Sequence, residues 1–183
     1  MRTRKPNRLH DYDYSKNGAY FITICTKNRM EILGNIVGDD AHIVPTIIQH
    51  SEYGEVVKKY IENISVLYDD VNVDNYVIMP NHVHLIIVLH NSQNNGTMWA
   101  SSPTKQIGIP QIIRSMKTMV TKKIGFPLWQ RSYHDHIIRN QKDYNRIYEY
   151  IQNNPKTWAN DCFHRANKKT HGMMIAPKKT QRP

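Results

Sequence analysis

The chain has 183 residues, 39% of them hydrophobic, with a formal net charge of +10 and two cysteines. No apolar run approaches the roughly 20 residues that a membrane-spanning helix needs, and the basic N-terminus lacks the apolar segment of a secretory signal. We therefore expect a cytoplasmic protein of about one domain, with reduced thiols and no membrane partner.

The positive charge is concentrated at the two ends of the chain. Residues 1–8 carry four basic residues and residues 164–183 carry six, without an acid in either stretch, while residues 9–163 carry 15 of each sign. This distribution is typical of a protein that meets a polyanion, although basic ends also occur as disordered, solubilising tails. We predict a basic arm at 1–10, a folded domain at 11–163 and a basic tail at 164–183.

The first elements are a strand and a helix with a short excursion between them. AYFITICT at 19–26 is rich in β-branched and aromatic residues and predicts a strand. Residues 31–44 predict a short strand followed by a hairpin or irregular excursion. Pro45 marks the predicted start of a helix, because apolar residues recur at helical spacing after it. The predicted buried face of this helix consists of Tyr53, Val56, Val57, Tyr60, Ile61 and Ile64.

The run YVIMPNHVHLIIVL predicts two strands, 71–79 and 82–90, around a Pro-Asn turn. Because side chains alternate along a strand, His82 and His84 point to one face and Val83 points into the core. Two imidazoles at this spacing can bind one metal ion and leave its other positions open, as a catalytic site requires. An isolated pair of this kind is more often hydrogen-bonded or exposed, so it does not establish a metal site.

Residues 91–134 carry six basic residues and no acid. The first part, 91–104, is polar and turn-rich and predicts a loop. Residues 109–124 predict a second amphipathic helix, whose polar side carries Arg114 and Lys117.

Residues 132–139 predict a strand, and residues 142–154 predict a third helix that ends at Pro155. The predicted element order is β-α-β-β-α-β-α. Split β-α-β units of this kind predict an α+β fold, a ferredoxin-like antiparallel sheet with the helices packed on one face. The other face would then hold His82 and His84 and receive a ligand.

Tyr150 and Asn154 are four residues apart in the third helix and therefore share one of its faces. The carboxamide oxygen of Asn154 suits a third metal ligand, and a tyrosine can act as a covalent nucleophile. Because a phosphotyrosine link keeps the energy of a phosphodiester, DNA strands could be cut and rejoined without ATP. Spacing alone does not distinguish Tyr150 from Tyr133, Tyr144 or Tyr148.

The motif MPNHVHLIIVL, with its His-hydrophobic-His core, resembles the signature of the single-tyrosine HUH transposases, and among them the REP-associated tyrosine transposases. Residues 11–29 resemble the opening strand of that family. Residues 129–155 resemble its last strand and catalytic helix. KTWANDCFH after Pro155 differs from the small, glycine-containing continuation that is common in the REP-associated group.

The resemblance implies a reaction and a set of site residues. It implies a divalent ion, Mg²⁺ or Mn²⁺, bound by His82, His84 and Asn154, with Tyr150 as the nucleophile. The imidazole pair alone would suit zinc equally well. Members of the family cut single-stranded DNA beside a hairpin, leave a 5′-phosphotyrosine and a free 3′-hydroxyl, and act as monomers or homodimers.

Basic residues along the chain are candidates for phosphate contacts, which position DNA without reading its sequence. For Arg146 the alternative is a surface ion pair with Asp143 or Glu149, and for the second helix it is a solvated face. Trp99 and Met98 could stack on an unpaired base or fold back onto the domain. The candidate DNA-binding residues are Arg2, Arg4, Lys5, Arg8, Arg114, Lys117, Arg139 and Arg146.

Two other functions use part of the same residue set. A regulator that binds DNA hairpins without cutting them would not need His82, His84, Tyr150 and Asn154 together. A two-histidine zinc hydrolase would need a third His, Asp or Glu ligand, and the sequence shows none in a matching motif. The sequence therefore favours a metal-dependent DNA endonuclease and strand transferase.

Overall fold

An antiparallel sheet of four strands lies at the centre of the structure. The computed structural model describes residue 9 and residues 11–38, 47–90 and 107–164. The strands are β1 (Gly18–Cys25), β2 (Gly34–Val37), β3 (Ile47–His50), β4 (Val71–Met79), β5 (His82–Leu89) and β6 (His134–Ile138). The helices are α1 (Glu52–Leu67), α2 (Ile109–Ile124) and α3 (Gln141–Asn153), with short 3-10 helices at Lys27–Arg29 and Pro155–Asn160.

The strands of the sheet lie in the order β4-β5-β1-β6. Each β-α-β unit is therefore split, by β5 in the first unit and by β1 in the second. Side chains of β1 and β5 alternate, so that Ile22, Ile24 and Val83 join the core beneath α1 and α2. His82 and His84 point to the opposite face. These features confirm the predicted α+β fold class and its antiparallel sheet.

Helix α3 packs on the face that carries the two histidines. Its Ile147 and Ile151 form a second, smaller core with Ile86 and Ile138. α1 and α2 thus share one face, as predicted, whereas α3 covers part of the other. This placement brings the helix with the predicted nucleophile against the predicted metal site.

The start of α1 is later than predicted. The strand β3 pairs with β2, and α1 begins at Glu52 rather than at Pro45. Ser51 explains this start, because its hydroxyl accepts a hydrogen bond from the Gly54 N–H at 3.2 Å and donates to the Ile32 carbonyl at 2.6 Å. A capping side chain that satisfies a free N–H defines a helix start more strongly than a preceding proline.

The other predicted strands and helices begin and end within about two residues of their predicted bounds. Apart from Leu9 and His164, the predicted basic arm and basic tail lie outside the described residues, as does the predicted loop at 91–104. The division of the chain into three parts therefore stays a prediction. Among the described residues, no helix has both the length and the apolarity to cross a bilayer.

Gly54 allows α1 to approach the chain near Leu33, and this close approach can be tested. A Cβ at position 54 would overlap the Leu33 carbonyl oxygen, which accepts the Ser51 N–H at 3.0 Å. We expect Gly54→Ala to lower the free energy of unfolding by about 1–3 kcal/mol, measured by urea denaturation. Lys59→Ala, on the exposed side of α1, should change it by less than about 0.5 kcal/mol. Equal stability of the two variants would contradict the expected overlap.

Candidate metal and nucleophile site

Two histidines lie side by side at the start of the central strand β5. The ring centroids of His82 and His84 are 4.5 Å apart, and both side chains are buried. Val83 and Leu85, on the other face of the strand, hold it in the main core. The alternation predicted from the sequence is thus confirmed, and it places two imidazoles on the face that α3 covers.

The two ring nitrogens of His82 have different environments. Nδ1 lies 2.9 Å from Oδ1 of Asn81, whose amide nitrogen donates to the Phe163 carbonyl at 2.9 Å. Because these bonds make Oδ1 of Asn81 an acceptor, Nδ1 of His82 carries the ring hydrogen. Nε2 is left with a lone pair, and this buried atom has no hydrogen-bond partner within the described part of the chain.

His84 lies between β1 and α3. Its Nδ1 is 2.8 Å from Oγ1 of Thr23, and its Nε2 is 3.3 Å from the hydroxyl of Tyr150. When Tyr150 donates to Nε2, the hydrogen of the neutral imidazole is on Nδ1, where Thr23 accepts it. In this tautomer both His82 and His84 can offer Nε2 to one metal ion.

Asn154 contributes an oxygen atom from the end of α3. Its side chain is buried, and its Nδ2 donates to Oδ2 of Asp161 at 3.1 Å. Its Oδ1 is also buried and has no hydrogen-bond partner among residues 11–38, 47–90 and 107–164. A buried polar atom without a partner costs about 1–3 kcal/mol. Together with Nε2 of His82, this oxygen fits the donor set of a divalent cation.

Tyr150 is the tyrosine of α3 whose hydroxyl reaches the histidines. The residue as a whole is 42% exposed, although its hydroxyl lies against the buried His84. The other candidate tyrosines contact different parts of the domain. Tyr144 donates to Asp74, Tyr148 stacks on Tyr144, and Tyr133 is buried in the core beneath α1 and α2.

Asp161 also lies at the candidate site, and the sequence did not reveal this position. Ligand atoms of His82, His84 and Asp161 all lie within 4.8 Å of one another, and the three residues are buried. Asp161 follows the 3-10 helix Pro155–Asn160, whose path after α3 has no signal in hydrophobic periodicity. The one available indication was an acid shortly after the predicted helix end. This group of three could hold a metal ion.

Burial keeps both histidines neutral. It lowers the pKa of His82 well below the usual value, and His84 and Arg29 lower it further, whereas Asn154 opposes the change. Burial also lowers the pKa of His84, to about 3. Neutral imidazoles keep the lone pairs that a metal ion requires.

The environment of Tyr150 keeps its phenol protonated. Burial raises its pKa, the nearby Asp161 and Cys162 raise it further, and Asn154 opposes the change. A cation in the site would act in the opposite direction, because positive charge favours the phenolate.

Two of the candidate DNA-binding residues have partners within the protein. Arg146 forms an ion pair with Asp143, which also binds Nε2 of His136 at 2.7 Å. This ion pair is the alternative that the sequence had left open. Lys117 is half-buried and donates to the backbone carbonyl of Gln130 at 2.7 Å.

The remaining candidates are dispersed. Arg114 lies on α2, on the opposite face of the sheet from His84, and Arg139 lies just after β6; both are exposed. Six residues lie outside the described part of the chain, namely Arg2, Arg4, Lys5, Arg8, Met98 and Trp99.

The chain is similar in sequence to two known proteins and similar in fold to a solved structure. No protein-family profile matches the chain. An uncharacterized protein of Haemophilus influenzae is 39% identical over 172 residues, which cover 86% of this chain and 91% of the relative. A second H. influenzae protein, named "Putative REP-associated tyrosine transposase", is 25% identical over 166 residues, 84% of each chain.

A solved structure of a REP-associated tyrosine transposase bound to a REP hairpin has the same fold. The TM-score is 0.57 and the identity 20%, over 82% of this chain and 74% of the other. The chain therefore belongs to one family with the first H. influenzae protein. Its predicted resemblance to the REP-associated tyrosine transposases is confirmed.

The buried neutral histidines predict a loss of stability in acid. Because the pKa of His84 is about 3 in the folded protein and 6.5 otherwise, the unfolded chain binds one more proton between these values. The free energy of unfolding should therefore fall, as the pH falls below 6.5, by about 1.4 kcal/mol per pH unit for this residue. Urea denaturation in EDTA at several pH values measures this slope. His84→Gln should make the slope shallower by that amount, and an unchanged slope would contradict the prediction.

Proposed function

We propose that this chain, which resembles the REP-associated tyrosine transposases in sequence and fold, is a metal-dependent transposase that cuts and rejoins hairpin-forming single-stranded DNA through Tyr150. One observation carries the proposal. The Tyr150 hydroxyl lies 3.3 Å from Nε2 of His84, at a site where Nε2 of His82 and Oδ1 of Asn154 are buried without partners. The proposed nucleophile and the three proposed donor atoms come from two different elements of the fold, β5 and the end of α3.

The proposed ligands are Nε2 of His82, Nε2 of His84 and Oδ1 of Asn154, with Mg²⁺ or Mn²⁺ as the ion. Two nitrogens and an amide oxygen form a mixed donor set, and the unpartnered atoms support it. When bound, the ion would polarise a phosphoryl oxygen and offset negative charge in the transition state. Asp161 also lies close enough to be considered as a ligand.

Tyr150 is proposed to form the covalent link. Its phenol oxygen attacks the phosphorus of a phosphodiester, a tyrosine–phosphorus bond forms, and the bond to the 3′ oxygen breaks. The phenol loses its proton and the departing 3′ oxygen gains one. A second 3′-hydroxyl reverses these steps and rejoins a strand, so the number of phosphodiester-type bonds is unchanged throughout.

The proposed DNA partner rests on the basic residues and on the relatives. A hairpin is the ligand in the solved structure of similar fold. Arg114, Arg139 and the basic ends of the chain would add salt-dependent phosphate contacts. Arg146 and Lys117 would have to exchange their present partners to contribute.

We propose that Tyr150 acts on a site of its own chain. His84 and Tyr150 are in contact, and Asn154 lies in the same helix region as Tyr150. This arrangement supports action in cis, by a monomer or by each subunit of a homodimer.

Adduct formation tests the nucleophile. We expect the protein, with Mn²⁺ and a hairpin oligonucleotide, to form a covalent adduct that is visible as a shift in denaturing gel electrophoresis. Tyr150→Phe should abolish it and keep hairpin binding. Tyr148→Phe is the matched control, because Tyr148 is 39% exposed and Tyr150 42%. Adduct formation by the Tyr150 variant would disprove the assignment, and binding without any adduct in the unmodified protein would favour the non-catalytic regulator.

Metal titration tests the ligands. We expect Mn²⁺ to bind the full-length protein, measured by isothermal titration calorimetry, and His82→Ala to weaken binding by at least about tenfold. His90→Ala, at the exposed end of the same strand region, should leave it unchanged. Binding of zinc without binding of Mn²⁺ or Mg²⁺ would contradict the proposed ion and favour the hydrolase.

A further inference from the structure

We infer that the segment Asp161–Phe163 is a positioning device that orients two of the proposed metal ligands, and that Asp161 acts through Asn154 rather than on the ion itself. The inference rests on the proposed function, because it assigns this segment to the same metal site. The segment lies after Pro155, where the sequence differs from the glycine-containing continuation that is common in the REP-associated group.

The first arm of the device joins Asp161 to Asn154. Both carboxylate oxygens of Asp161 are in use: Oδ1 accepts the backbone N–H of Phe163 at 2.6 Å, and Oδ2 accepts Nδ2 of Asn154 at 3.1 Å. An amide has one donor end and one acceptor end. A carboxylate that holds the donor end therefore determines where Oδ1 of Asn154 points, and this oxygen is buried and unpartnered in the described structure.

The second arm joins Phe163 to His82 through Asn81. The Phe163 carbonyl accepts Nδ2 of Asn81 at 2.9 Å, which turns Oδ1 of Asn81 toward Nδ1 of His82, also at 2.9 Å. The Asn81 side chain is fully buried. The result is a fixed ring orientation and a fixed tautomer, with the lone pair of His82 on Nε2.

The segment is itself held by Arg29, the last residue of the 3-10 helix Lys27–Arg29 that follows β1. The Arg29 guanidinium donates to the Cys162 carbonyl at 2.9 Å and lies 4.6 Å from the centre of the Phe163 ring. That ring packs against His82, with centroids 4.5 Å apart. Asp161 and Phe163 thus contact the proposed metal ligands or their partner Asn81, and Cys162 between them is held by Arg29.

Asp161 is close enough to the histidines to be considered as a ligand, so the two roles must be distinguished. Asp161→Asn keeps one oxygen for the Phe163 N–H and removes the oxygen that accepts Nδ2 of Asn154. If Asp161 acts through Asn154, this substitution has no further effect on Mn²⁺ binding once Asn154 is absent, whereas the loss of a ligand keeps its effect. A double-mutant cycle separates these cases. Its readout is the dissociation constant for Mn²⁺ in the full-length protein, measured by electron paramagnetic resonance of the free ion, and it requires no DNA cleavage.

We expect Asp161→Asn and Asn154→Ala each to weaken Mn²⁺ binding by about 10- to 100-fold, and the double variant to be no weaker than Asn154→Ala within about twofold. Asp69→Asn, at an exposed position, is the control for the lost charge and should leave binding unchanged. If Asp161→Asn weakens binding as much without Asn154 as with it, the carboxylate is a ligand and the inference is wrong.

A second measurement needs no variant. Nitrogen-15 spectra of the unmodified, metal-free protein should show His82 as the neutral tautomer with hydrogen on Nδ1. A hydrogen on Nε2 would overturn the role of Asn81 and Phe163, even if a variant at Asp161 failed to fold. A different result would contradict the proposed function itself, namely the absence of a covalent adduct from a protein that binds Mn²⁺ normally.

Discussion

The burial of two neutral imidazoles in the central strand is the constraint on which the site depends. A neutral imidazole has one hydrogen and one lone pair, and inside a core both need a defined partner. Asn81 and Thr23 lie at the Nδ1 atoms of His82 and His84, so the Nε2 atoms are directed to the side that α3 covers. Since β5 has a neighbouring strand on each side, hydrogen bonds on both sides hold the backbone that carries the histidines. The other groups of the site have to be brought to them, and the packing of α3 does this.

The sequence predicts those features of the site that depend on residues close together along the chain. Alternation along β5 is a local property, so the shared face of His82 and His84 could be predicted and is confirmed. The helical spacing of Tyr150 and Asn154 is equally local. The choice of Tyr150 over Tyr144 and Tyr148 is not a local property, because it depends on the angle at which α3 crosses the sheet. Only the family resemblance pointed to it, and the structure places its hydroxyl against His84.

Asp161 and the start of α1 could not be predicted for a related reason. Asp161 reaches the histidines through a 3-10 turn after Pro155, and neither hydrophobic period nor charge pattern describes such a turn. The helix start was misplaced because Pro45 is a common signal, whereas the decisive one is the bond from Ser51 to the Gly54 N–H. In both places side-chain hydrogen bonds to the backbone help to hold the path of the chain, and sequence periodicity contains no information on such bonds.

The contact between Tyr150 and His84 also bears on the order of events in the proposed reaction. Nε2 of His84 has one lone pair, which can accept the Tyr150 hydroxyl or bind a metal ion, but not both at once. Binding of an ion there would therefore release the hydroxyl from the imidazole. Burial and the nearby Asp161 raise the pKa of Tyr150, so the released phenol stays protonated unless a cation offsets them. One ion would thus remove the hydroxyl from its resting partner and favour loss of its proton. In the proposed reaction, Tyr150 would therefore become a nucleophile only when the metal is in place.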